Sequence, residues 1–204
     1  LFDKLYDLKT ELIGRFNVYN LLAAATACAL CGLKTDYIAE KIPELGCVRG
    51  RMQKVHSMPN VYIDYAHTPD GLQNALSALK KSTDGRLICV FGCGGNRDSG
   101  KRKEMGRISG RIADLTVITC DNPRFEDANA IINEIEKGVR EVDNVEYVTI
   151  SDRKLAIEYA LRSANVGDTV LIAGKGCECY QEIMGVKIPF SDEETACAYY
   201  KNEE

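Results

Sequence analysis

Apolar positions along this chain change their period near residue 48. Upstream, N-V-Y-N-L-L-A-A-A-T-A-C-A-L-C (17–31) is a continuous alanine- and leucine-rich run that predicts a helix, stopped by Gly32. A second helix is predicted over 35–41 and ends before Pro43. Residues 1–16, L-F-D-K-L-Y-D-L-K-T-E-L-I-G-R-F, look like the last strands of a preceding unit. The stretch G-C-V-R-G-R-M-Q is glycine-punctuated and reads as a linker. Beyond it, short apolar runs alternate with amphipathic segments. V-Y-I-D (61–64) precedes a helix over 69–80, R-L-I-C-V-F (86–91) one over 101–113, and L-T-V-I-T (115–119) one over 129–140. V-E-Y-V-T (145–149) precedes a helix over 152–162, and T-V-L-I-A (169–173) runs into a glycine loop. Y-Q-E-I-M and V-K-I-P-F around Gly185 predict a closing hairpin, and S-D-E-E caps a last helix. Repeated β-α units predict an α/β, Rossmann-like domain over 48–204: a mostly parallel sheet, helices on both faces and a C-terminal β-hairpin. Residues 1–47 form a separate helical piece before it.

Ligands of such sheets gather outside the carboxyl ends of the strands. Four polar loops fall there: D-Y-A-H-T-P-D, G-C-G-G-N-R-D-S-G-K-R, C-D-N-P-R and G-K-G-C-E. In the third, Pro123 cannot donate to a sheet and biases Asn122 away from helix, so the strand stops at a rigid turn. The second nearly fits a phosphate-binding loop, but Arg102 stands where a hydroxyl would hold Mg2+. An anion-binding loop built around Arg97 is the better reading. Six basic residues lie between Arg97 and Arg111 against Asp98 and Glu104, and a solvated helix face explains most of them. Arg97 and Arg124 are planar forks suited to carboxylates, whereas Asp121 and Glu178 are acceptors suited to ammonium groups. A ligand matching that layout carries both charges, as an amino acid does. Alternatively the same groups pair with one another and merely brace the loops.

Composition narrows the class. A chain of 204 residues with 45% hydrophobic and 27% charged residues has the makings of an ordinary soluble core. A net charge of −4 argues against a general nucleic-acid binder. No apolar run approaches the ~20 residues of a membrane span, and no export signal is read ahead of the first helix. Nine cysteines without such a signal read as reduced thiols in a cytosol. Cys28 with Cys31, and Cys177 with Cys179, lack the loop context and second pair of a zinc site, and are expected to be buried structural thiols.

The four rim motifs, in this order and at these separations, resemble the C-terminal domain of the Mur ligases, and G-R-F-N-V-Y-N-L-L-A-A-A resembles the end of that family's central ATP-binding domain. The resemblance covers essentially the whole chain and implies an ATP-dependent ligase of cell-wall precursor synthesis. D-N-P-R resembles the meso-diaminopimelate recognition motif, rather than that of the lysine-adding or folylpolyglutamate-type branches. The resemblance implies that Arg97, Asp121, Asn122, Pro123, Arg124, Gly174 and Glu178 form the meso-diaminopimelate site. It likewise implies that Asn17, Asn20, Arg51 and Asp64 meet ATP, Asp64 being suited to ribose hydroxyls. His67 either helps organise phosphates or is a turn histidine bonding backbone before Pro69. The implied partners are meso-diaminopimelate, ATP, UDP-MurNAc-L-Ala-D-Glu and the N-terminal and central domains, with Mg2+ held mainly by the latter. A non-catalytic ligand-binding module is the alternative of another class.

Two departures stand out. The family usually shows G-K-G-H-E, whereas Cys177 here replaces the histidine. Nothing matches the central domain's G-K-[S/T] loop, so the chain reads as a C-terminal piece of a longer enzyme. Purified alone, it is expected to fold and bind diaminopimelate weakly without turnover. Sustained ATP-dependent ligation by residues 1–204 would overturn that expectation.

Overall fold

The structure is a computed structural model that describes residues 4–201. Contacts divide the chain into two compact units, one ending at Val48 and one beginning at Arg49. In the first, helix α1 (Arg15–Leu30) and helix α2 (Thr35–Lys41) close on a small core of Ala25, Ile38 and Ile42. Residues 4–13 form no strand, contrary to the expectation from their pattern. A strand needs a paired edge, and the described residues of this unit offer none. The segment is instead tied to α2 by side chains, Lys4 to Asp36 and the Tyr6 hydroxyl to Thr35 Oγ1 at 2.6 Å.

The second unit opens with β1 (Gln53–Ser57) and β2 (Asn60–Asp64), which pair antiparallel. Then follow α3 (Pro69–Lys80), β3 (Leu87–Phe91), α4 (Gly100–Ile112), β4 (Leu115–Ile118) and α5 (Ala128–Val139). The chain continues through β5 (Glu146–Thr149), α6 (Arg153–Ser163), β6 (Thr169–Ala173), the hairpin β7 (Tyr180–Ile183) and β8 (Val186–Pro189), and α7 (Asp192–Lys201). The sheet order is β1-β2-β6-β3-β4-β5, parallel from β2 onward. Strands β3, β4 and β6 are buried at every residue, which is why they read as unbroken apolar runs. Strand β1 begins at Gln53, the last residue of the expected linker, and the sequence pattern does not predict it. Q-K-V-H-S is a half-exposed edge, and an edge needs no apolar alternation to pair through its backbone.

Helices α6 and α7 cover one face of the sheet, where Ile157, Leu161 and Ala196 meet Val90, Val117 and Ile172. Helices α3, α4 and α5 contact strands β3 to β6. Helices α4 and α5 cross at two glycines: a Cβ on Gly138 would sit 1.8 Å from the Lys103 carbonyl oxygen, and one on Gly106 2.1 Å from that of Ile135. Side chains cap the helices as the sequence requires, Thr68 for α3, Asp127 for α5, Asp152 for α6 and Ser191 for α7.

The order β3-β4-β5 followed by a return to β6 creates the switch point beside which ligands gather. A buried ion pair fixes the strand ends there. Arg153, at the start of α6, meets Asp192, at the start of α7, through two 2.8 Å bonds, and neither side chain is exposed. Its remaining donors reach the carbonyls of Ala173, at 2.9 Å, and Cys120, at 3.4 Å. Burial pulls the Arg153 pKa down, but the Asp192 carboxylate more than offsets it and the net shift is upward. Asp192→Ala strands this guanidinium, so unfolding stability is expected to fall by about 3–5 kcal/mol in urea titration. A change near zero would show that the pair holds nothing.

Candidate functional site

The four rim loops enclose one cleft of about 580 Å³. The loop after β2 contributes Tyr65 and His67, the loop after β3 contributes Arg97 and Asp98, and the first turn of α4 contributes Lys101. Asp121, Asn122 and Arg124 come from the loop after β4, and Gly174 and Glu178 from the loop after β6. The diaminopimelate residues implied by the resemblance thus come together around it, apart from Pro123. That residue shapes the turn from behind, its carbonyl accepting the Glu126 N–H at 3.0 Å.

The turn after β4 is sewn to the hairpin. Gln181 Nε2 donates to the Asp121 carbonyl at 2.9 Å, and the Glu182 N–H to Asn122 Oδ1 at 3.0 Å. Arg124 takes a left-handed backbone with φ of 53°, donating its N–H to Glu182 O and accepting from Met184 N–H. Its guanidinium is partly committed, Nη1 to the Gly95 carbonyl at 2.7 Å and Nε against Glu182 at 3.3 Å. Asn122 is a brace as much as a ligand group. Its Nδ2 donates to Glu178 Oε2 at 3.0 Å, while its Oδ1 also accepts from Lys175 Nζ at 3.0 Å.

The loop after β3 is held from the same side. Asn96, with φ of 51°, accepts from the Phe125 N–H and donates its own N–H to Glu126. That N–H and the Arg102 guanidinium hold the Glu126 carboxyl below the usual carboxylate range, although partial desolvation opposes them. Arg102 is not on a solvated face, as its run of basic neighbours predicted. It is buried, paired to Glu126 at 2.9 Å and Glu134 at 3.0 Å, because α4 packs against α5 and the loop before it. A position filled by a structural guanidinium also explains why the phosphate-loop pattern fails at its last residue.

Of the charged side chains lining the cleft, two make no hydrogen bond or ion pair among the described residues. Arg97 is exposed at the cleft and makes no hydrogen bond or ion pair. Asp121 is 8% exposed, and its carboxylate accepts no hydrogen bond. Gly174 is required beside it: φ is +112°, and a Cβ would lie 2.8 Å from Asp121 Oδ2. Glu178 is not free, because Oε2 takes both Asn122 and Lys175, the latter at 3.1 Å. Lys175 escaped the sequence reading. Its one signal is a lysine between two glycines directly after an unbroken apolar strand.

Of the residues expected to meet ATP, Arg51 and Asp64 belong to the same unit as the cleft but do not line it. Asp64 does not present open oxygens for ribose: it is buried, Oδ2 accepting from Met52 N–H at 2.7 Å and Oδ1 from Ala66 N–H at 2.8 Å. Burial raises its pKa against those two bonds. Arg51 is exposed, with its guanidinium 4.7 Å above the Tyr65 ring. In the first unit Asn17 Nδ2 donates to Ile13 O, and Asn20 Nδ2 to Asn17 Oδ1. His67 faces the cleft with its Nδ1 2.8 Å from the Tyr65 carbonyl, the turn geometry, while its own carbonyl accepts Lys101 Nζ at 2.6 Å. No cluster of three or more metal-ligating His, Cys, Asp or Glu side chains occurs among the described residues.

The glycine-loop thiols correct a further expectation. Cys177 and Cys179 are exposed, as is Cys31, while Cys28 is half-buried. The loop leaves both sulfurs on its outer side, and α1 buries only Ala25 within its own unit. The buried thiols are Cys89, Cys93 and Cys120.

A family model described as Mur ligase, glutamate ligase domain, matches residues 50–176. The chain belongs to the Mur ligase family. It is 48% identical over 192 residues to the UDP-N-acetylmuramoyl-L-alanyl-D-glutamate–2,6-diaminopimelate ligase of Bacillus velezensis, covering 93% of this chain and 39% of that protein. The ligase of the same name from Pseudomonas aeruginosa is 48% identical over 191 residues, again covering 93% and 39%. A solved structure with that name superposes with a TM-score of 0.75 at 38% identity, over 96% of this chain and 40% of its own. The chain therefore spans about 39% of the length of the curated relatives it matches.

Alkylation distinguishes the two thiol classes. At about pH 8, iodoacetamide should label Cys31, Cys47, Cys177 and Cys179 in the native protein. Burial pushes Cys89 and Cys93 up to about 12 and Cys120 to about 11, so these three should stay unmodified until the protein unfolds. Intact-mass analysis reads the count directly, and early labelling of the last three would contradict the packing.

Proposed function

We propose that this chain forms the amino-acid cradle of an ATP-dependent amide ligase that adds meso-diaminopimelate to UDP-MurNAc-L-Ala-D-Glu in the cytoplasm. The observation that carries the reading is that Arg97 and Asp121 face one cleft, with no hydrogen bond or ion pair to either side chain among the described residues. A guanidinium and a carboxylate left open together suit a zwitterion. Arg124 adds a second, oriented fork, which matches a ligand with two carboxylates. L-Lysine ends in a bare ammonium where diaminopimelate carries its far acid group, and a fork at that place separates the two. The names of the relatives support the same substrate.

On this reading residues 49–204 are the C-terminal ligase domain and the first unit is the end of the ATP-binding domain. ATP would activate the D-Glu carboxylate as an acyl phosphate. The work of this chain is then to bind the incoming amino acid, neutralise its carboxylates and orient the amine that displaces phosphate. Asn17, Asn20 and Arg51 remain the groups for ATP, and Asp64 acts by shaping its turn. His67 serves as a turn residue at the mouth of the cleft.

Calorimetry of the purified protein with meso-diaminopimelate and L-lysine tests the assignment. Arg124→Ala should cost on the order of 2–4 kcal/mol in diaminopimelate binding and leave lysine binding little changed. Arg97→Ala, which removes no internal bond, is the control against a disturbed loop. An unchanged preference between the two ligands in the folded Arg124 variant would sink the reading.

A further inference from the structure

Lys175 is a buried charged residue of the rim that the reading above leaves unused. Its side chain is wholly buried and does not line the cleft. Nature could fill the space with methionine at little cost, whereas a buried ammonium must be compensated by close acceptors. The acceptors are Asn122 Oδ1 at 3.0 Å and Glu178 Oε2 at 3.1 Å, with the Tyr180 ring 5.7 Å below. Asn122 Nδ2 closes the triangle on the same Glu178 oxygen at 3.0 Å. Two donors on one oxygen set the rotation of the carboxylate. Glu178 Oε1 makes no hydrogen bond among the described residues, although the residue lines the cleft.

We propose that Lys175 is a positioning residue, holding Glu178 so that its second oxygen accepts an ammonium of the bound amino acid. This rests on the zwitterion reading of the cleft. It also explains why a salt-bridged glutamate belongs in a binding site. The lysine takes up one oxygen and spares the other, and Asn122 keeps lysine and glutamate in register. Lys175 touches no ligand itself. Its effect must therefore pass through Glu178 and must concern the amino groups alone.

The test compares two ligands of the same length and carboxylate spacing, meso-diaminopimelate and pimelate, which has no amino group. Binding is followed by calorimetry and by ligand-observed NMR for the weaker partner. Lys175→Met should weaken diaminopimelate binding roughly tenfold or more, as loss of hydrogen bonds to a charged group implies. Pimelate binding should change less than about twofold, which is within the scatter of independent sites. Glu178→Gln should reproduce that pattern, and the double variant should be no worse than the poorer single one. Lys175→Arg should recover part of the loss. If Lys175→Met does not fold, Lys175→Gln, which keeps a donor without charge, replaces it. Equal losses for both ligands would reduce Lys175 to a structural residue, and an unchanged diaminopimelate affinity would remove it from the site. Failure of the wild type to bind diaminopimelate would instead overturn the zwitterion reading, and this inference with it.

Discussion

The rim of this sheet depends on Arg153. Parallel strands leave carbonyls beyond their ladders, and buried carbonyls need donors. Cys120 and Ala173 are such residues, at the ends of β4 and β6, and the next residue in each case, Asp121 or Gly174, belongs to the cleft. A planar group with five N–H donors can serve two carbonyls and both oxygens of a carboxylate together, four bonds where a lysine has only three donors. Buried ion pairs are often no more stabilising than well-packed apolar residues. Here the pair is needed as a source of directed donors, and Asp192 keeps that source charged. Geometry, more than net stability, is what it contributes.

From those anchored ends outward, charge is sorted. Arg102 is neutralised by Glu126 and Glu134, Lys175 by Glu178, and Arg124 in part by Glu182. Arg102 with Glu126 and Arg124 with Glu182 tie neighbouring segments, and Asn122 ties the Lys175–Glu178 pair of the glycine loop to the turn after β4, so segments distant in sequence hold a common shape before any ligand arrives. That preorganisation lowers the ordering cost of binding. Both alternatives open at the level of sequence are thus present together: most rim charges brace the loops, and a small remainder faces the cleft.

How much of this was legible follows from what sequence patterns record. Strands β3, β4 and β6 were plain because burial on both faces demands apolar residues throughout. Strand β1 was not, because its pairing lies in the backbone and its side chains are half in water. The rim loops were plain as loops, and D-N-P-R as a turn. The division of labour within them was hidden, since Asn122 and Arg102 look the same in sequence whether they meet ligand or protein. Lys175 was missed for a related reason. Lysine is among the residues least often buried, so a lysine flanked by glycines reads as exposed until the strand before it is known to end in the core. The exposed cysteines mislead in the opposite direction, because free cysteine is usually a buried residue.

The two arginines of the cleft then cannot be equivalent. Arg97 extends from a braced asparagine and keeps its whole guanidinium available, so it offers charge with freedom to adjust. Arg124 gives one nitrogen to Gly95 and another to Glu182, and its backbone is locked to the hairpin on both sides. It offers less net charge and more direction. On the proposed reading, attracting a doubly charged acid would fall to the first, and telling a carboxylate from an ammonium at a fixed distance would fall to the second. On that reading discrimination would fall to the more constrained guanidinium, because a mobile one could retreat from the wrong ligand without penalty.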